Sequence, residues 1–142
     1  GTRSAAIAEP GNRNWRELGW VNPADLLKAA DVFVLPNRRT YFDLILLEAL
    51  STGTPVIASA TGGNKTVSAD TSAVMTYDGG AEELEMALNA FMILSREEKT
   101  ALRQQARKIY LDKYTTERFA ADYCQLVEEI HRDYGIAAGG TP

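Results

Sequence analysis

Hydrophobic residues follow two different patterns along the chain. The first half holds short continuous apolar runs, and the second half repeats apolar residues at helical spacing. Val32-Phe-Val-Leu-Pro36 and Pro55-Val-Ile-Ala-Ser59 are runs of the first kind. Such runs read as strands buried on both faces, as in a parallel sheet. Between them, Asp43 can cap a helix from Leu44 to about Thr52, and Gly53 stands where a helix stops. The unit Val32–Ser59 is therefore expected to be strand–helix–strand, a right-handed crossover between parallel strands. Upstream, Ser4–Glu9 and Arg16–Val21 read as short strands. Asn22-Pro23 supplies a cap and a first-turn proline for a helix reaching about Ala30. Downstream, a glycine-containing loop, Ala60–Lys65, precedes a third strand of this group at Ala73–Tyr77. Three amphipathic helices follow, marked by Leu84, Ala87, Leu88, Phe91 and Leu94, then Leu102, Ala106, Ile109 and Tyr110, then Phe119, Tyr123, Leu126 and Ile130. The expectation is an α/β fold, a Rossmann-like parallel sheet with flanking helices and a helical C-terminal segment.

Composition narrows the function. The chain has 142 residues, of which 45% are hydrophobic, enough for one domain with a core and too few for two. We divide it into an N-terminal flexible or short-strand segment, 1–15, a domain over 16–134, and a flexible Gly/Ala-rich tail, 135–142. Lys plus Arg total 15 against 19 Asp plus Glu, a net charge of -4, which argues against a general nucleic-acid partner. A local basic pocket for a small anion stays open. No apolar run reaches the roughly 20 residues of a transmembrane helix. Cys124 is the single cysteine, which excludes an internal disulfide, and without a leader pattern the expected compartment is the reducing cytoplasm. One His and one Cys leave no basis for a His/Cys metal site, so no metal is expected.

Chemistry in an open parallel sheet belongs at the carboxyl ends of the strands. Two loops leave such ends here, 37–42 and 60–65, and consecutive strands should set them side by side. The first carries Arg38 and Arg39 and feeds a helix whose opening N–H groups, at about Asp43, Leu44 and Ile45, suit a phosphate. The second carries Gly62-Gly63, which lets backbone come close to a ligand, and Lys65. The alternative is a pair of solvated arginines beside an ordinary glycine loop, since neither a P-loop nor a G-x-G-x-x-G run is present. Glu48 is a sharper signal. It interrupts Leu44-Ile-Leu-Leu-Glu-Ala-Leu50, a helix apolar almost all round and so expected to be buried. A buried carboxylate needs a partner. Either Arg38 or Arg39 supplies it, or Glu48 reaches the sheet mouth and accepts from ligand hydroxyls. Trp15, Trp20, Tyr41-Phe42 and Cys124 read as packing residues, His131 as a solvated one, and Glu82-Glu83 as first-turn support for a helix.

The order Glu17-Leu-Gly-Trp-Val21, Asp25-Leu-Leu, Ala30-Asp-Val-Phe-Val-Leu-Pro36, Leu47-Glu-Ala-Leu50, Gly53-Thr-Pro-Val-Ile-Ala58 and Gly62-Gly63 resembles the C-terminal half of GT-B glycosyltransferases. Within that fold it is most similar to the retaining enzymes of family 4, over about residues 16 to 134. The resemblance implies a partial nucleotide-sugar-binding domain, with a nucleotide-diphosphate sugar as substrate and no cofactor required. Glu48 aligns with the second glutamate of the family's paired-glutamate motif and would hold the ribose. The stretch Tyr41 to Leu44 would turn backbone N–H groups to diphosphate and sugar, with Thr40 and Tyr41 at the sugar and Phe42, Asp43 and Leu44 at the phosphates. Arg38, Arg39 and Lys65 would add charge, and Gly62-Gly63 close backbone. Positive charge and helix N–H groups would replace a metal at the leaving diphosphate.

The chain also departs from the family. The first glutamate of the motif is Thr40, which offers a hydroxyl but no charge, and a glycine of the motif is Asp43, which would repel a diphosphate unless turned into the helix cap. The family's N-terminal acceptor domain and the first strand–helix units of its donor domain have no counterpart here. The absent strands would leave Val32–Pro36 with an unpaired apolar edge, which is expected to seek a partner, including a second copy of this chain. The expectation is the donor-binding portion of a retaining glycosyltransferase, a hexosyltransferase-like enzyme when whole and inactive as this piece, with residues 40 and 48 as its catalytic candidates. The alternatives are a non-catalytic GT-B-like interaction domain, favoured by Thr40, and a sugar-nucleotide epimerase fragment of the same fold.

Overall fold

The computed structural model describes residues 14–134. The strand expected at Ser4–Glu9 and the tail beyond 134 lie outside the described residues. In chain order the elements are α1 (Pro23–Ala29), β1 (Phe33–Leu35), α2 (Leu44–Ser51), β2 (Val56–Ser59), α3 (Gly63–Asp70), β3 (Val74–Tyr77), α4 (Ala81–Met92), α5 (Arg96–Lys113) and α6 (Thr116–Tyr134). The strands form a parallel sheet in the order β1-β2-β3, with Phe33 opposite Val56 and Val56 opposite Val74.

Strand alternation sends successive side chains to opposite faces, and each face has its own core. Leu35, Val56, Ala58 and Val74 join Leu46, Ala49 and Leu50 of α2, Val67 of α3 and Ala106 of α5. Ile57 and Tyr77 point the other way and meet Phe91 of α4, with Met75, Leu84 and Leu88 packed around them. The layers are therefore helix, sheet, helix, as the apolar runs predict. The crossover is closed tightly. Gly53 stands past the end of α2 at φ +74°, a left-handed conformation that favours glycine. The buried Thr54 hydroxyl donates to the Leu27 carbonyl at 2.6 Å. From α5, Arg103 donates to the carbonyls of Ala30 and Lys28 at 2.7 and 2.8 Å, and Arg107 donates to that of Ser51. One long helix thus satisfies carbonyls at the ends of α1 and α2.

Several expectations are corrected. Residues 16–21 form no strand and are exposed, with Trp20 95% and Trp15 52% accessible, so neither tryptophan is a packing residue among the described ones. β1 is not buried on both faces. Leu35 is buried, but Val32, Phe33 and Val34 are only half-buried, because β1 pairs on one side alone among the described residues. The loop expected to continue past Gly62 is instead α3, a polar octet whose Asn64 and Val67 alone are buried. Periodicity is silent there because one apolar side chain is no pattern. α6 has the amphipathic stripe, yet Phe119, Tyr123, Leu126 and Ile130 are all exposed, and so is Cys124. No helix among the described residues is long and apolar enough to cross a membrane.

Candidate functional site

The carboxyl ends of the three strands open onto one cleft of about 520 Å³. Asn37 and Arg38 follow β1, Ser59 and Thr61 follow β2, and Asp78, Gly79 and Gly80 follow β3 and lead into α4. This is where the end of a parallel sheet collects polar loops. Arg38 is thus the one charged residue from the sequence-derived set that lines it. Asn37, Ser59, Thr61 and the Asp78-Gly79-Gly80 turn escaped that set. The signal available for the turn was its place after the third strand and before a helical pattern.

The two loops expected to lie side by side do so and bond directly. The Gly63 N–H donates to the Tyr41 carbonyl at 2.7 Å. Gly62 has φ +49°, and a Cβ there would overlap the Thr40 carbonyl oxygen, while a Cβ on Gly63 would overlap the Phe42 ring. The close approach these glycines permit is used by the protein's own backbone, loop against loop. Side chains extend the same link. The Asn64 amide donates to the Ser59 carbonyl at 3.2 Å, and the Ser59 hydroxyl donates to the Asn37 carbonyl. The Asn37 amide and the Thr40 hydroxyl then both donate to Asp43 Oδ1, each at 2.9 Å.

Asp43 occupies the N-cap position of α2, but its side chain makes no capping bond. The carboxylate turns to Asn37 and Thr40 instead, and its Oδ2 is buried with no partner. The condition for sparing a diphosphate, a carboxylate folded into the cap, is not met. Asn64 Oδ1 is the other buried oxygen without a partner among the described residues.

Glu48 corrects the reading of α2. It is exposed, and neither Arg38 nor Arg39 pairs with it. The helix buries Leu46, Ala49 and Leu50 and leaves Leu44 70% accessible. Leu44 and Glu48, four residues apart, share that outer face, with Tyr41, 99% accessible, just before the helix. Tyr41 is therefore no anchor beneath the loop, whereas Phe42, 42% accessible, packs on Gly63. Arg39 and Lys65 are exposed and lie outside the cleft lining. The site residues thus fall into two neighbouring groups: the cleft with Arg38, and the start of α2 with Thr40 to Leu44 and Glu48. Among the described residues no group of three or more His, Cys, Asp or Glu could hold a metal ion.

Comparison with known proteins gives this arrangement a lineage. Residues 2–93 match the family model described as glycosyl transferases group 1. The chain belongs to that family. A D-inositol 3-phosphate glycosyltransferase of Geodermatophilus obscurus is 32% identical over 121 residues, 83% of this chain and 26% of the relative. A UDP-Gal:alpha-D-GlcNAc-diphosphoundecaprenol alpha-1,3-galactosyltransferase of Escherichia coli is 52% identical over 48 residues, 33% of this chain and 12% of the relative. Among solved structures, the sucrose-phosphate synthase of Thermosynechococcus elongatus superposes with a TM-score of 0.66 at 26% identity, over 76% of this chain and 27% of that one. The GT-B character of the fold follows. The chain spans about a quarter of the length of the relatives it matches most fully.

Proposed function

We propose that this chain is the donor-binding portion of a retaining glycosyltransferase, which moves a sugar from a nucleotide-diphosphate sugar to an acceptor and is inactive without the rest of the enzyme. One observation carries the reading. In a member of this family, an unpaired, exposed Glu48 sits one turn into the helix that begins beside the strand-end cleft. A carboxylate without a protein partner at a ligand-bearing sheet edge is ready to accept from a ribose diol. Arg38 in the cleft offers positive charge to the diphosphate, with Arg39 next to it in sequence and Lys65 exposed on α3. The backbone of Phe42 to Leu44 offers the opening N–H groups of α2. Thr40 and Tyr41 meet the sugar. The acceptor would be held by a further domain, as the length of the relatives suggests. The D-inositol 3-phosphate named for several of them is one candidate acceptor. No metal or cofactor enters this scheme.

The test is a ligand-observed NMR titration with UDP, GDP and ADP and their common sugar conjugates. The expected result is binding of one diphosphate family, weakened about tenfold or more in Glu48→Ala. Loss of one carboxylate–hydroxyl hydrogen bond, worth about 1.5–3 kcal/mol, sets that size. A well-folded chain that binds none of them supports the second reading, a non-catalytic interaction domain. Thr40 favours that reading, because its hydroxyl is already engaged by Asp43.

A further inference from the structure

Opposite charges line the two sides of the strand-end cleft without meeting. Arg38 follows β1 and Asp78 follows β3, with β2 between them. Among the described residues they are the one basic and the one acidic residue of the lining. Both are exposed, and neither has a hydrogen-bond or ion-pair partner among those residues. Two strand spacings, about 10 Å, separate the strands that carry them. Several donors on the Asp78 side are spent within the protein. The N–H groups of Ala60, Thr61 and Gly80 donate to the Tyr77 carbonyl, the Ser59 carbonyl and Glu83 Oε2 at 2.7, 2.8 and 2.7 Å. The Ser59 hydroxyl gives its proton to the Asn37 carbonyl and keeps only lone pairs. The turn that carries Asp78 is itself held in place, because Glu83 closes it and a Cβ on Gly79 would overlap the Glu83 side chain. The cleft is thus polarised, with donors and positive charge on the β1 side and a carboxylate on the β3 side.

A phosphate on the β3 side would meet like charge and gain no hydrogen bond from the Asp78 carboxylate. A sugar hydroxyl donates to that carboxylate, and hydrogen bonds to an ionised acceptor are the stronger kind. We propose that Asp78 is a specificity-determining residue that accepts from the hydroxyls of the donor sugar, while the diphosphate of the same ligand rests on Arg38. This assignment rests on the donor-binding reading above. Thr40 and Tyr41 then meet the sugar from the α2 side and Asp78 meets it from the α4 side. The two charges also set the direction of binding, drawing the anionic part of the ligand to β1 and its hydroxyl-bearing part to β3.

The experiment measures dissociation constants of UDP, UDP-glucose, GDP and GDP-mannose for the chain and for three variants, with circular dichroism as the check on folding. Asp78→Ala removes the acceptor and its charge. It is expected to weaken the sugar conjugate about tenfold, the size of one hydrogen bond to a charged group, and not to weaken the free diphosphate. Asp78→Asn keeps the shape and one acceptor and is expected to weaken the conjugate less than Asp78→Ala does. Arg38→Gln is expected to weaken diphosphate and conjugate by a common factor, which marks the other side of the cleft. If the chain binds nucleotides and Asp78→Ala leaves the ratio of conjugate to diphosphate unchanged, Asp78 reads no sugar hydroxyl, while the donor-binding reading survives. If Arg38→Gln weakens neither ligand, the diphosphate does not rest on Arg38 and the division of the cleft falls. If the folded chain binds none of the four, the donor-binding reading falls and the assignment with it.

Discussion

Helices α2 and α4 both begin at the carboxyl edge of the sheet, and both place a carboxylate at that beginning, but they use it differently. At α4, Glu83 reaches back and accepts the Gly80 N–H at 2.7 Å, so its charge is spent closing the helix start. At α2, Asp43 holds the cap position without capping, reaches sideways to Asn37 and Thr40, and leaves one oxygen without a donor. α5 follows the α4 pattern, with Ser95 and Glu98 bonding reciprocally at 3.1 and 2.7 Å. A helix start built for stability satisfies itself locally. At α2 the carboxylate ties the helix start to the preceding loop instead of closing its own first turn.

The comparison can be broken most forcefully at Gly62. Its φ of +49° and the Thr40 carbonyl behind it leave no room for a methyl group. Gly62→Ala is expected to lower stability by about 3 kcal/mol, read from urea unfolding, because the loop at the start of α2 must move. A loss below about 0.5 kcal/mol would mean that the two loops are not held together as described. Next in size are the two carboxylates themselves. Glu83→Ala is expected to cost about 1 kcal/mol through loss of the cap, whereas Asp43→Asn is expected to stay within about 0.5 kcal/mol, since Asn keeps an acceptor for Thr40. Equal losses would erase the distinction between a carboxylate that closes its own helix start and one that does not.

The smallest effect concerns acid. The bond from the Ser95 backbone N–H, with a second from its side chain, holds the Glu98 carboxyl below the usual glutamate range. A carboxyl lowered on folding adds stability above its unfolded value, about 4.3, and loses it as pH falls through the lower folded value. Thermal melts between pH 7 and pH 3 should therefore show a shallower acid decline in Glu98→Gln than in the parent chain. Identical slopes would indicate that a capping carboxylate contributes nothing to acid sensitivity here.

Much of the fold was legible in the order of residues. Val32–Pro36 and Pro55–Ser59 gave β1 and β2, Asn22-Pro23 started α1, and Gly53 ended α2. Apolar runs and cap residues report their own burial and backbone geometry, and that information is local. The three C-terminal helices were legible for the same reason. α3 was not, because its one apolar core residue, Val67, is buried by the core it joins beside β3 rather than through any repeat of its own.

The site divides along the same line. Residue order alone determined that polar loops follow β1 and β2, that Arg38 stands in one of them, and that Glu48 interrupts an apolar helix. Only tertiary structure decided that Glu48 faces solvent, that Gly62 and Gly63 serve loop-to-loop contact, and that Asp43 turns away from the cap toward Asn37 and Thr40. It also decided that the β3–α4 turn joins the cleft. The loop-to-loop contact and the shared cleft depend on the register of parallel strands, which sets distant loops side by side. Asp43 finds its partners only three and six residues away, in a loop whose path is fixed by its bond to the loop after β2.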